Sequence, residues 1–200
     1  MSGDRTSARL TVDALVELTR RRLGGRRRRV VEPGVLISAA VLVPIVDRGE
    51  PHLVFAKRSE RVGHHPGQIA FPGGTVCDAD RTALDCALRE SHEEIGLSPA
   101  GVEPLGTLDD TETFATRFVI TPIVARVDPP PAWRPDGTEI EQVLEVPWAV
   151  LADPRSLREE IWARDGARRS VYFYDWGGET IWGATARIVK QYVDLVGGPA

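Results

Sequence analysis

The chain is predicted to fold as a mixed α/β layered domain. Residues 35–46 are apolar and rich in β-branched side chains, and residues 52–57 alternate behind a turn. Residues 8–23 and 184–196, near the two ends, carry apolar residues at helical spacing. Between them, further strand-like segments surround a helix-like stretch. Strands bracketed by helices pack as layers around one core.

Taken in order, Leu10, Ala14, Leu15 and Leu18 give the first helix its apolar side, and Gly24-Gly25 stops it. Arg26 to Arg29 form a basic run, which we expect to be a solvated connector. The strand over 35–46 and the alternating 52–57 are joined by Asp47-Arg48-Gly49-Glu50 as a hairpin. A loop-rich stretch from Arg58 ends in Phe71-Pro72-Gly73-Gly74, and a helix over about 80–95 follows. Residues 102–108 and 118–127 read as strands, and Pro129-Pro130-Pro131 through Gly137 as a surface loop. After the Asp165-Gly166 turn, 170–176 alternates like a strand. The chain closes on a helix with Ile188, Val189, Tyr192 and Leu195 along one side.

Two hundred residues, 42% of them hydrophobic, suffice for one domain with a sizeable core. A formal charge of -4 gives no global reason to expect a nucleic-acid partner. No apolar run is long enough for a membrane span. The N-terminus lacks the apolar region of a secretory signal, so a cytoplasmic location is expected. Cys77 and Cys86 form no Cys-x-x-Cys pair and are read as reduced structural bystanders; the four histidines offer no zinc spacing.

The informative segment is Gly73-Gly74 followed by Arg89-Glu90-Ser91-His92-Glu93-Glu94-Ile95-Gly96-Leu97. At 100° per residue, Leu84, Ala87, Leu88, Ser91 and Ile95 share one arc that can face a core. Glu90, Glu93 and Glu94 share the neighbouring arc, because i, i+3 and i+4 lie side by side. Asp80 or Thr82 can cap the helix start, and Gly96 suits a left-handed end. Like charges ~4 Å apart cost about 4 kcal/mol per pair at an effective dielectric of ~20. On an exposed helix, with Arg89 as an ordinary ion-pair partner, solvent removes that cost and the cluster needs no function. On a partly buried face, a divalent cation with oxygen ligands supplies the compensation. The upstream glycine pair, which lets backbone approach an ion or ligand closely, favours the second reading.

This segment resembles the Nudix box, Gly-x5-Glu-x7-Arg-Glu-U-x-x-Glu-Glu-x-Gly-U with U a bulky apolar residue. Arg89, Glu90, Glu93, Glu94, Gly96 and Leu97 match. Asp80 stands for the first Glu, one residue further from Arg89 than the pattern has it, and Ser91 takes an apolar position. The resemblance implies a Nudix-type α-β-α sandwich with a mixed β-sheet. Residues 35–200 would be the hydrolase domain, and 1–34 a helical extension with the basic connector. Glu90, Glu93 and Glu94 would ligate Mg²⁺ or Mn²⁺, Asp80 being left out of the set. Glu93 and Glu94 would also serve catalysis. Arg89 would orient a carboxylate, and Gly73 and Gly74 would approach metal and phosphates. Water would attack phosphorus, with a glutamate of the box or Glu139 as general base.

Upstream, Arg58, Ser59, Gly67 and Phe71 to Gly74 are in register with a signature similar to that of the coenzyme A pyrophosphatase branch. Ile181-Trp182-Gly183-Ala184-Thr185-Ala186-Arg187 is similar to it too. That likeness implies hydrolysis of coenzyme A or acyl-coenzyme A to 3′,5′-ADP and a 4′-phosphopantetheine product. Arg58, Gly67 and Gln68 would join the glycine pair in binding substrate; His64 and His65 are expected to be exposed, and Trp182 to pack in the core. Gly63 replaces a second arginine of the signature, and Arg117 stands where the branch often has glycine. Other nucleoside diphosphate derivatives, namely ADP-ribose, NADH or a dinucleoside polyphosphate, form the alternative. A non-catalytic nucleotide sensor is the reading of another class, opposed by three intact glutamates. RNA processing has only the arginine run behind it. The expected partner is a small nucleotide, without nucleic acid or membrane, and with a homodimer left open.

Overall fold

The computed structural model describes residues 10–61, 66–113, 116–127, 132–164 and 167–198. Helix α1 (Val12–Gly24) starts at Thr11, whose hydroxyl accepts the Ala14 N–H. Strands β1 (Ile37–Asp47) and β2 (Pro51–Arg58) form the expected hairpin. Short strands β3 (Ile69–Ala70) and β4 (Gly73–Thr75) lead into α2 (Ala83–Ile95). Next come β5 (Val102–Thr107), β6 (Thr111–Glu112), β7 (Phe118–Val127), β8 (Ile140–Pro147) and the single turn α3 (Trp148–Leu151). Strands β9 (Leu157–Arg164), β10 (Ala167–Trp176) and β11 (Glu179–Trp182) precede the last helix, α4 (Gly183–Gly197).

The large sheet runs β3-β2-β1-β7-β5, with β8 paired to β2, β4 to β1 and β6 to β7. It is mixed because β1 and β7 run parallel, from Ile37 opposite Phe118 to Ile45 opposite Arg126. Strands β9, β10 and β11 form a separate antiparallel sheet. Period-two alternation sends Val43, Ile45, Leu53 and Phe55 to one face of the large sheet, where α1 and α4 pack. It sends Ala40, Leu42, Val46, Val54 and Ala56 to the other face, against Cys86, Ala87 and Ile95 of α2. A central strand covered on both sides reads as an unbroken apolar run, as 35–46 does. The result is an α-β-α sandwich.

Helix α2 begins at Ala83, because Thr82 caps it and accepts the Asp85 N–H. Asp80 stays outside and accepts the Cys77 N–H. Gly96 ends the helix at φ 70°, its N–H bonded to the last turn. Ser91 fits its apolar position because its hydroxyl donates to the Ala87 carbonyl at 2.6 Å. The arginine run corrects its expectation as a free connector. Arg26 pairs with Asp109 at 2.6 Å and Arg28 with Asp110 at 2.8 Å, strapping the chain across the sheet. Gly63, His64, His65, Pro129 to Pro131, Asp165 and Gly166 lie outside the described residues. Among the described residues no helix is long and apolar enough to cross a membrane.

Candidate active site

Three pieces of chain meet at the start of β4. The first is the Gly73-Gly74 turn, held by β4 pairing to β1, with Val41 opposite Gly73 and Ala40 opposite Gly74. Gly73 sits at φ 150°, and a Cβ there would strike the Ala40 carbonyl and the Val41 backbone. A Cβ on Gly74 would stand 2.5 Å from the Glu90 carboxyl carbon. Only a bare backbone lets this turn lie against α2.

The second piece is the acidic side of α2. Glu94 accepts the Gly73 N–H at 3.0 Å. Burial pushes its carboxyl up to about 7, helped by the Glu90 charge and opposed by the Gly73 N–H and Arg58. Arg89 grips Asp80 through two bonds of 3.0 and 2.9 Å, and reaches Glu90 at 2.8 Å and Glu93 at 3.3 Å. The Arg89 hydrogen bonds hold Asp80 well below the usual carboxylate range. Asp80 is thus the anchor that aims Arg89. Arg89 bonds two box glutamates at once.

The third piece is the loop before β8. Its Arg134 N–H bonds the Ile95 carbonyl and its Asp136 N–H the Glu94 carbonyl, tying it to the end of α2. The Asp136 carboxylate accepts the N–H groups of Glu139 and Ile140. Glu139 is thereby set beside Arg58, at 3.1 Å. Arg58 also donates its backbone N–H to the Gln68 carbonyl, and its Nε is buried without a partner. Gly67 takes φ 66° beside Glu60, turning the chain back toward Gln68.

Among the described residues no group of three or more His, Cys, Asp or Glu stands ready-made to hold a metal ion. Arg89 spans Glu90 and Glu93, and the Glu93 side chain is 58% exposed. The donor set nevertheless suits a divalent cation. Glu94 is a half-buried carboxyl with one backbone donor and other carboxylates acting on it, and an oxygen-seeking cation relieves both penalties.

A groove of about 320 Å³ opens at the glycine turn. Gln68, Phe71, Gly73 and Gly74 line one side, and Phe118, Ile120, Val171, Trp162 and Trp182 line the other. Trp182 was expected in the core. It is 36% exposed, with its ring parallel to Phe173 and Trp162 beside it. It ends β11 and caps the start of α4, on an exposed side of the small sheet. Trp162 carried no sequence signal, since β9 is charged and exposed. Arg117 has φ 57°, the left-handed region that glycine enters freely. Arg187 of α4 also borders the groove.

Comparison with known proteins adds the following. The model of the NUDIX domain matches residues 36–169. The Nudix hydrolase NudL of Escherichia coli K12 is 36% identical over 161 residues, covering 80% of this chain and 83% of that protein. NudL of Shigella boydii serotype 18 gives the same identity and coverage. The crystal structure of the Mycobacterium smegmatis Nudix hydrolase RenU is 21% identical, with a TM-score of 0.49. It covers 58% of this chain and 73% of that one.

Proposed function

This chain belongs to the Nudix family of hydrolases, and from that premise we propose that it cleaves the diphosphate linkage of coenzyme A or an acyl derivative. The coarser part needs no proposal: it is a Nudix pyrophosphatase of nucleoside diphosphate derivatives, from a family that generally uses divalent metals such as Mg²⁺ or Mn²⁺. The products proposed are 3′,5′-ADP and 4′-phosphopantetheine or its acyl form. The observation that carries this reading is the shared glycine turn. Gly73 and Gly74 touch the acidic side of α2 and also form the head of an apolar groove. A diphosphate at that turn leaves the uncharged part of its substrate along the groove. Signature residues support the finer choice: Phe71, Gly73 and Gly74 line the cleft together with Gln68, and Arg58 braces it through the Gln68 carbonyl.

Glu90, Glu93 and Glu94 would hold Mg²⁺ or Mn²⁺. When bound, the ion supplies neutralisation of the diphosphate and an acidified water. Arg89, anchored on Asp80, keeps Glu90 aimed at the turn. Arg58 turns from Glu139 to the phosphate oxygens, and its unpartnered Nε finds an acceptor there. Release from Arg58 frees Glu139, which we assign as the acceptor of the water's proton, a glutamate of the box being the alternative. The water oxygen bonds to phosphorus, the bridging P–O bond breaks, and the leaving phosphate departs as an oxyanion. The unpaired Cys77 and Cys86 accord with a reducing, cytoplasmic setting.

The test is a substrate panel of coenzyme A, ADP-ribose, NADH and diadenosine polyphosphates with Mg²⁺ or Mn²⁺. The highest kcat/KM is expected for coenzyme A. Turnover of ADP-ribose or a dinucleoside polyphosphate with coenzyme A ignored overturns the substrate while leaving the family intact.

A further inference from the structure

Beyond the groove lies a second pocket, of about 540 Å³, built by the connector, β6, β10 and α4. Arg29, Arg169 and Arg187 line it, with Glu112 as the one carboxylate and Thr111 and Gln191 beside them. Among these lining residues the guanidiniums outnumber the carboxylates. Arg26 and Arg28 are ion-paired with Asp109 and Asp110, whereas Arg29 acts on Asp109 only through its charge and its backbone N–H. The Arg29 guanidinium donates to the Asp110 backbone carbonyl and that of Arg187 to the Ser170 carbonyl, so both are positioned without being neutralised by those bonds. Thr111 gives an independent sign. It is 2% exposed, lines the same pocket, and its Oγ1 has no hydrogen-bond partner. The two pockets adjoin, because Glu112 and Arg187 border both.

We infer that Arg29, Arg169 and Arg187 form a subsite for a phosphate monoester carried on the nucleoside of the substrate. This rests on the coenzyme A reading, in which that group is the 3′-phosphate. The diphosphate then lies at Gly73-Gly74, the nucleoside follows the apolar groove, and its phosphate ends among the arginines. A dianion with three acceptor oxygens suits planar guanidinium forks, and Thr111 Oγ1 adds a neutral donor. The subsite would make the enzyme favour a phosphorylated ribose over a plain one.

Calorimetry on the full chain with adenosine 5′-phosphate and adenosine 3′,5′-bisphosphate tests this without turnover. A charge-assisted contact predicts the bisphosphate to bind at least about tenfold tighter at 0.1 M salt. In Arg187→Gln and in Arg29→Gln that ratio should fall below about threefold. Arg29 is exposed, so its variant keeps the test decisive should the half-buried Arg187 prove necessary for folding. A wild-type ratio near one overturns the subsite, as does an unchanged ratio in both variants. So does inorganic phosphate binding there as tightly as the nucleotide, which would mark a free-anion site. A ratio that behaves as expected while coenzyme A is not cleaved upholds the subsite and sinks the proposed reaction. Cleavage of coenzyme A with no ratio does the reverse.

Discussion

Glu94 is where burial and charge conflict most sharply. Its carboxyl lies under the glycine turn with one backbone donor, and its proton is held up to about 7. In the metal-free protein this has a definite sign. Below pH 4.5 the carboxyl is protonated both folded and unfolded, and its contribution to stability is fully present. As the pH climbs through about 7 the buried group must ionise, and that contribution is lost. The rise from 4.5 to about 7 corresponds to roughly 3 kcal/mol. Thermal unfolding in a chelator should therefore fall between pH 5 and 8 more steeply for the wild type than for Glu94→Gln. Parallel profiles would refute the burial account. With Mg²⁺ present, Glu94→Gln should lower kcat at least about 100-fold while the fold persists. Wild-type kcat with an unchanged metal requirement would remove Glu94 from the site.

At the scale of elements, the two glycines of β4 separate fold from function. Gly73→Ala forces a side chain into the Ala40 carbonyl at a positive φ, and should cost more than about 2 kcal/mol in urea unfolding. Gly74→Ala meets only the flexible Glu90 carboxylate, so the fold should hold while activity drops and half-maximal Mg²⁺ rises. Equal destabilisation by both would show that the Glu90 carboxylate cannot move aside from the turn. The helix with its cap at Gly96 was legible because period, box spacing and a C-terminal glycine agree. Strands β1, β2, β5 and β7 were legible from apolar runs. Strands β8 and β9 escaped notice because charged residues interrupt them, as in Leu157-Arg158-Glu159-Glu160, where strand faces meet solvent. The arginine pocket was illegible for another reason. Arg29, Arg169 and Arg187 lie apart in sequence; the packing of α4 against β10, with the connector tied to Asp109 and Asp110, brings them together.

For the whole molecule, the sheet carries the acidic helix on one face and support on the other, where α4 also borders the groove. Helix α2 holds the acidic side chains over one face, while α1 and α4 fill the opposite face. The N-terminal segment proposed as an extension is packed into that support: Leu15 and Val16 are buried in the same cluster as Tyr174 and Tyr192. Leu15→Ala should lower stability by about 2–5 kcal/mol in urea unfolding. A change near zero would mark α1 as detachable from the residues that follow it.

We propose that the acidic side of α2, facing the glycine turn, hydrolyses the coenzyme A diphosphate. Product identification by mass spectrometry during a divalent-metal titration tests it most directly. The expected products are 3′,5′-ADP and 4′-phosphopantetheine in equal amounts, formed with Mg²⁺ or Mn²⁺ and not in a chelator. Coenzyme A recovered intact at every metal concentration would contradict it.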